Sequence, residues 1–191
     1  MADRYHSFED LLADTQPGID FRILCEDRGT SVVIIAPHGG MIEPGTSQIG
    51  AAIAGTELSF YAFEALKPGA HGDFHITSHR FDEPRARALV GRSAMAVAVH
   101  GRKDDGTEGV WLGGRAVVLS NTIGASLRAA GFGAEINRSL PGLHESNICN
   151  RTHTGEGVQL ELPRSLRRRL TAERDLLKAF CSAIRDVIPA N

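Results

Sequence analysis

The segment that decides the fold is residues 31–36, SVVIIA, which leads directly into PHGGMIEPGT at residues 37–46. A run of β-branched and aliphatic residues is typical of a strand that is buried on both faces in the middle of a sheet. Because Pro37 lacks a backbone N–H, we predict that the strand ends there. The two glycines that follow allow the backbone to turn sharply beyond the strand.

Segments with strand character and segments with helical periodicity alternate along the rest of the chain. We predict further strands at residues 21–25, 58–62, 74–77, 94–99, 115–119 and 158–162. We predict helices at residues 7–13, 47–54, 84–89, 123–130 and 164–187. The alternation indicates an α/β fold, a mixed, mostly parallel sheet with helices on its faces, in a single domain over residues 1–191. In such folds ligands bind beyond the carboxyl ends of the strands.

The charge pattern argues against a nucleic-acid partner. The net charge is −2, and the lysines and arginines are scattered, whereas nucleic acids require a broad basic surface. The exception is the basic segment RSLRRR at residues 164–169, which we interpret as a solvated helix face rather than a phosphate site.

Composition also predicts the compartment. No segment approaches the ~18 apolar residues of a membrane span, so we expect no membrane partner. Cys25, Cys149 and Cys181 are widely spaced and form no C-x-x-C pair, which argues against disulfides and against a thiolate zinc site. We therefore expect a reducing compartment and a cytoplasmic protein.

The first candidate for chemistry is the pair His38 and Glu43, directly after the strongest predicted strand. The glycines between them allow the chain to fold back and bring the carboxylate beside the imidazole. Zinc binds such nitrogen and oxygen ligands at about 2.0–2.2 Å. A lone pair of this kind is weak evidence, and the alternative is that His38 caps a loop while Glu43 is solvated.

His100 occupies the same position relative to the predicted strand at residues 94–99, and it is also followed by glycine. If the two strands run parallel, His38 and His100 lie at the same edge of the sheet, close enough to share an ion. The two histidines together are far more specific than either one alone.

Glu161 lies in the segment GVQLELP at residues 157–163. Strand alternation places Gln159 and Glu161 on the face opposite the apolar residues. A carboxylate at that position can act as general base to an attacking water and then as acid to the departing amine. The alternative is an ordinary glutamate on an exposed face.

Two polar loops offer substrate contacts. In the first, Asn147, Asn150 and Arg151 form a polar patch whose guanidinium can hold a substrate carboxylate with two hydrogen bonds. In the second, Arg80 can serve the same purpose or polarise the scissile carbonyl. Both segments are equally compatible with ordinary surface loops.

Five motifs occur in order along the chain: APHGGMIEPGT at residues 36–46, ITSHRFDEP at 76–84, VAVHG at 97–101, NICNR at 147–151 and GVQLELP at 157–163. Together they resemble the poly-γ-glutamate hydrolases of phages and bacteria, a family of zinc enzymes with a fold similar to the metallocarboxypeptidases. The resemblance spans most of the chain.

The resemblance implies that His38, Glu43 and His100 bind Zn²⁺, with one coordination position left for water, and that Glu161 is the catalytic carboxylate. It also implies a γ-linked glutamyl polymer as substrate, whose free α-carboxylates Arg80 or Arg151 hold. Two alternatives remain. One is a zinc amidohydrolase or deacylase that acts on a small N-acyl or γ-glutamyl amino acid, and the other is a non-catalytic, prophage-derived binding module.

Overall fold

A computed structural model describes residues 3–189, apart from the side chains of residues 70 and 71. The strands are β1 Phe21–Glu26, β2 Val32–Gly40, β3 Ser59–Ala65, β4 Met95–Arg102, β5 Val110–Gly113, β6 Ala134–Ile136 and β7 Gly157–Pro163. The helices are α1 Phe8–Asp14, α2 Thr46–Ala54, α3 Ala70–Phe74, α4 Pro84–Arg92, α5 Val117–Ala129, α6 Arg164–Ala172 and α7 Arg174–Arg185, with a 3₁₀ turn at Ile148–Asn150.

The strands form one seven-stranded sheet in the order β1-β3-β2-β4-β7-β5-β6. Strands β3, β2, β4 and β7 are parallel neighbours, β1 and β5 flank them in the antiparallel direction, and β6 pairs parallel with β5. The sheet is therefore mixed and mostly parallel, as predicted, and β2 lies inside it. The carboxyl ends of the four parallel strands form a common edge.

Alternate residues of the parallel strands enter two hydrophobic cores. Val32 and Ile34 face the core that packs under α2, α5, α6 and α7. Val33 and Ile35 face the opposite core, under α1 and α4. Both faces of β2 are buried along almost its whole length, which explains its unbroken apolar sequence.

Three strand predictions need correction. β2 does not end at Pro37 but continues to Gly40, because the pairing with β3 shifts register between Ala36 and Gly39 and accommodates the proline. Residues 74–77 are not a strand, since α3 ends at Phe74 and a loop follows. Residues 115–119 lead into α5, and the strand in this region is β5, Val110–Gly113.

The predicted helix at residues 164–187 is two helices. Glu173 has extended backbone angles, φ −114° and ψ 100°, and it separates α6 from α7. The short strands β5 and β6 were not predicted. Among the described residues, no helix is both long and apolar enough to cross a membrane.

Candidate metal centre

The end of β2 positions His38 through two glycines that no other residue can replace without movement. A Cβ on Gly39 would lie 2.0 Å from the Ser47 hydroxyl oxygen. Gly40 has φ +61°, and a Cβ there would lie 2.3 Å from the carbonyl oxygen of Ala65. The glycines thus permit the close packing of β2 against β3 and α2 that fixes the His38 backbone.

The loop after β2 brings Glu43 back to His38. The Glu43 amide donates to the His38 carbonyl at 2.9 Å, and the Thr46 hydroxyl bonds to the carbonyls of both residues. The Glu43 side chain is only 7% exposed, and its Oε2 accepts the Gly101 amide at 2.7 Å. The predicted fold-back is present, and Glu43 is not solvated.

His100 on β4 completes a buried cluster with these two residues. Its Nδ1 lies 3.2 Å from Nδ1 of His38 and 3.9 Å from Oε2 of Glu43. Nδ1 of His38 lies 3.5 Å from Oε1 of Glu43. Nε2 of His38 donates to the Ile76 carbonyl at 2.8 Å, which leaves the Nδ1 lone pair directed at the cluster.

These separations are those expected around a shared ion. Two ligand atoms bound at 2.0–2.2 Å in tetrahedral geometry lie about 3.3–3.6 Å apart. The 3.5 Å separation falls within this range, the 3.2 Å separation is slightly shorter, and the 3.9 Å separation is longer. Nδ1 is the nitrogen of the His100 ring that lies nearest His38, and among the described residues Nε2 is buried without a hydrogen-bond partner.

A fourth residue, His75, belongs to the same cluster and was missed from the sequence. Its ring stacks on His38 with centroids 4.1 Å apart, and its Nδ1 bonds to Asp3 at 2.7 Å. His38, Glu43 and His75 offer ligand atoms that all lie within 4.8 Å of one another. His100 and His75 are therefore both candidates for the third ligand beside His38 and Glu43, and the His100 nitrogen lies 3.2 Å from that of His38. His75 lies in residues 74–77, which were predicted to form a strand, and no sequence motif there marks it as a metal ligand.

The electrostatics of the cluster suit a cation. Burial disfavours protonation of His38, but the Glu43 carboxylate outweighs it and raises the pKa of His38. Burial alone would raise the pKa of Glu43, yet His38 brings it down to about 2. Burial, reinforced by His38, lowers the pKa of His100 to about 3 and that of His75 to about 4. The neutral imidazoles of His100 and His75 and the ionised Glu43 carboxylate thus surround His38, whose raised pKa indicates that the centre attracts positive charge.

Glu161 stands beside this cluster. It is the β7 partner of His100 in the strand register, and Gln159 donates to it at 3.3 Å. Burial, together with repulsion from Glu43, raises the pKa of Glu161 to about 8. The carboxyl thus exchanges a proton near neutral pH, as a general base and acid requires.

The cluster opens into a cavity of about 360 Å³, which Glu161 also lines. Among the remaining predicted residues only Asn147 reaches this cavity, where its amide donates to Gln159 at 3.0 Å. Residues 139–144 form the opposite wall, and His79 and His144 meet at the lining with ring centroids 5.3 Å apart. None of these loop contacts was predicted.

The other three predicted residues lie outside the cavity lining. Arg80 is exposed and contacts His6 at 2.9 Å, and its neighbour His79 lines the cavity. Asn150 supports the cavity wall from behind by donating to the Gly142 carbonyl at 2.7 Å. Arg151 donates to the Ser146 carbonyl at 2.8 Å.

The fold and the cluster together define an α/β protein with a candidate metal centre at the carboxyl ends of parallel strands. A family model for poly-gamma-glutamate hydrolase matches residues 5–182. The chain belongs to the poly-gamma-glutamate hydrolase family, and the resemblance inferred from its motifs is confirmed.

Individual relatives agree with this assignment. The chain is 37% identical over 173 residues to the SPbeta prophage-derived UPF0714 protein YoqZ of Bacillus subtilis (strain 168), covering 88% of this chain but 62% of YoqZ. The structure of a bacteriophage poly-gamma-glutamate hydrolase superposes with a TM-score of 0.92 at 30% identity, covering 97% of this chain and 96% of that one. The zinc-free apo structure of YndL superposes with a TM-score of 0.90 at 30% identity, covering 98% of each chain.

Proposed function

We propose that this chain is a zinc-dependent hydrolase that cleaves γ-glutamyl amide bonds in poly-γ-glutamate. The observation that carries the proposal is the juxtaposition of a buried His38–Glu43–His100 cluster with Glu161 in one cavity. Membership in the poly-gamma-glutamate hydrolase family supports the substrate. We propose zinc because the donors are two imidazoles and a carboxylate, and because a structural relative is described in a zinc-free form.

His38, Glu43 and His100 would hold the ion, and three protein ligands leave a position for water, as in catalytic zinc sites. A bound zinc supplies Lewis acidity, which polarises the scissile carbonyl and acidifies water. The Gly101 amide and the Ile76 carbonyl fix the orientation of Glu43 and His38, so the ligands are pre-arranged.

Glu161 performs the proton transfers in the proposed reaction. Its carboxylate accepts a proton from the water that attacks the amide carbon, and it then donates that proton to the departing amine nitrogen. Gln159 holds Oε1 of Glu161, and Asn147 in turn holds Gln159. Asn147 therefore positions the catalytic carboxyl through Gln159, a more specific role than the general substrate contact predicted from sequence.

The test combines zinc content with the release of γ-glutamyl oligomers from poly-γ-glutamate. Wild type is compared with His100→Ala, with a chelator-treated sample, and with His153→Ala, which removes an exposed histidine outside the cavity. We expect one zinc per chain and polymer cleavage in wild type and His153→Ala, and loss of cleavage in the other two samples.

The alternative outcomes discriminate between functions. Bound zinc with hydrolysis of a small N-acyl or γ-glutamyl amino acid, but not of polymer, would favour the small-substrate amidohydrolase. Zinc without any hydrolysis would favour a binding module, and absence of zinc would overturn the metal centre.

A further inference from the structure

A second cavity adjoins the candidate metal centre. It measures about 710 Å³ and shares Glu43 with the first cavity. Its remaining walls come from the loop after β2, Gly69 before α3, the end of β4 and the start of α6, so it lies at the same carboxyl edge of the parallel strands. A ligand in one cavity is therefore close to the other.

This second cavity is lined by exposed cations. Lys103, Arg164 and Arg168 are all exposed, and none of them forms an ion pair within the described part of the chain. We call these three residues and the cavity that they line the basic groove. The nearby Asp104 caps α6 by accepting the Ser165 amide at 2.8 Å, and it is the acidic group closest in sequence.

A buried guanidinium adds to the positive potential of the basic groove. Arg167 is only 5% exposed and donates to the carbonyls of Pro44 at 2.6 Å and Leu162 at 3.2 Å. These hydrogen-bond partners are neutral, and the carboxylates of Glu43, Asp104 and Glu161 balance the charge of Arg167 in part. Arg102, by contrast, pairs with Asp105 and stacks on Trp111, so these contacts balance its charge.

We propose that the basic groove binds the carboxylates of γ-linked glutamyl residues next to the bond that is cleaved. The inference rests on the proposed function, because that substrate carries one free carboxylate on every residue. Exposed, unpaired cations attract such a polyanion and hold its chain across the adjoining catalytic cavity. The segment at residues 164–169 then has a binding role, contrary to its interpretation from sequence as a solvated helix face.

A nucleic acid fits the basic groove less well. Binding of single strands relies on aromatic side chains on which bases stack, and none of the described residues that line this cavity is aromatic. The net charge of −2 also gives no broad basic surface outside the groove.

The test compares the double variant Lys103→Gln/Arg168→Gln with Arg174→Gln/Lys178→Gln. The control makes the same charge change on α7, at residues that line a different cavity. Loss of two exposed ion pairs predicts a rise of about three- to tenfold in KM for poly-γ-glutamate. We expect a smaller rise in KM for a γ-glutamyl dipeptide and no comparable rise in the control variant. At about 0.5 M salt, where these charges are screened, the KM values of the two double variants should become similar.

Equal KM changes for polymer and dipeptide, or equal changes in the two double variants, would overturn the proposal. So would tighter binding of single-stranded DNA than of poly-γ-glutamate by the wild type. Failure of the proposed function is seen separately, as absence of cleavage by wild type. In that case polymer binding to Glu161→Gln protein decides the issue: weaker binding after the groove substitutions supports the basic groove, and unchanged binding overturns it.

Discussion

The Nδ1 atoms of His38 and His100 lie 3.2 Å apart, although the residues are separated by 62 positions in the chain. Parallel pairing of β2 and β4 creates this proximity, because both histidines lie toward the carboxyl ends of adjacent strands. Two imidazole nitrogens directed at each other in a buried site require either a shared proton or a shared cation. The nearby Glu43 carboxylate stabilises positive charge between them and adds an oxygen ligand for a cation.

The first prediction distinguishes the two histidines that compete for the ligand role. His100→Ala should lower zinc affinity by more than about 100-fold, since a ligand is lost. His75→Ala should lower it by about 100-fold or less, as substitution of an outer-shell partner does. Zinc competition with a fluorescent chelator measures both. A larger loss in His75→Ala would assign the third ligand to His75.

The second prediction concerns Glu161. Glu161→Gln should keep the zinc affinity of wild type but lower kcat by about a hundred- to ten-thousandfold, because the amide cannot accept or donate the proton. Zinc titration and polymer cleavage are measured on the same preparation. Turnover at a rate near that of wild type would remove Glu161 from the mechanism.

The third prediction follows from the pKa of Glu161, which burial raises from 4.5 to about 8. In chelator-treated protein, the unfolded chain loses this proton between about pH 4.5 and 8 while the folded chain retains it. Glu161 therefore lowers the free energy of unfolding as pH rises through that window. Glu161→Gln removes this loss, so the variant should gain stability relative to wild type between pH 5 and pH 8 in urea denaturation. If the free energies of unfolding of Glu161→Gln and wild type differ by the same amount at pH 5 and pH 8, the raised pKa is contradicted.

The fourth prediction tests the turn that positions His38. Gly40 and Gly106 both have positive φ, +61° and +85°, but only at Gly40 would a Cβ clash, 2.3 Å from the Ala65 carbonyl oxygen. Gly106→Ala should cost about 1–2 kcal/mol for the left-handed backbone alone. Gly40→Ala should cost about 3 kcal/mol or more, because β2 must also move away from β3. If the two variants lose equal free energy of unfolding in denaturant, β2 can shift at Gly40 without cost.

The sequence predicted the central strands and the proximity of His38 and His100, but it missed His75 and the short strands. Periodicity and the two His-Gly motifs were sufficient for the central strands and for the juxtaposition of His38 and His100, since parallel neighbours end at one edge. Strands β5 and β6, the last two in the sheet order, have four and three residues, too few for a sequence pattern to be recognised. The break at Glu173 lies within continuous helical periodicity, and no glycine or proline marks it.

Loop geometry accounts for the remaining differences. His75 enters the cluster because Asp3 and Thr77 hold its loop, with Asp3 accepting the Thr77 amide at 2.7 Å. Contacts between residues so distant in sequence leave no local signal. The same limit applies to Arg80, whose guanidinium contacts His6, 74 positions away in the chain, at 2.9 Å.

Stepwise return of zinc to the chelated protein tests the central claim most directly, with poly-γ-glutamate chain length followed after each addition. The account predicts that the cleavage rate rises in proportion to added zinc and reaches a plateau at one zinc per chain. Cleavage that is already complete in the chelated protein, or that stays absent when one zinc per chain is bound, would contradict it.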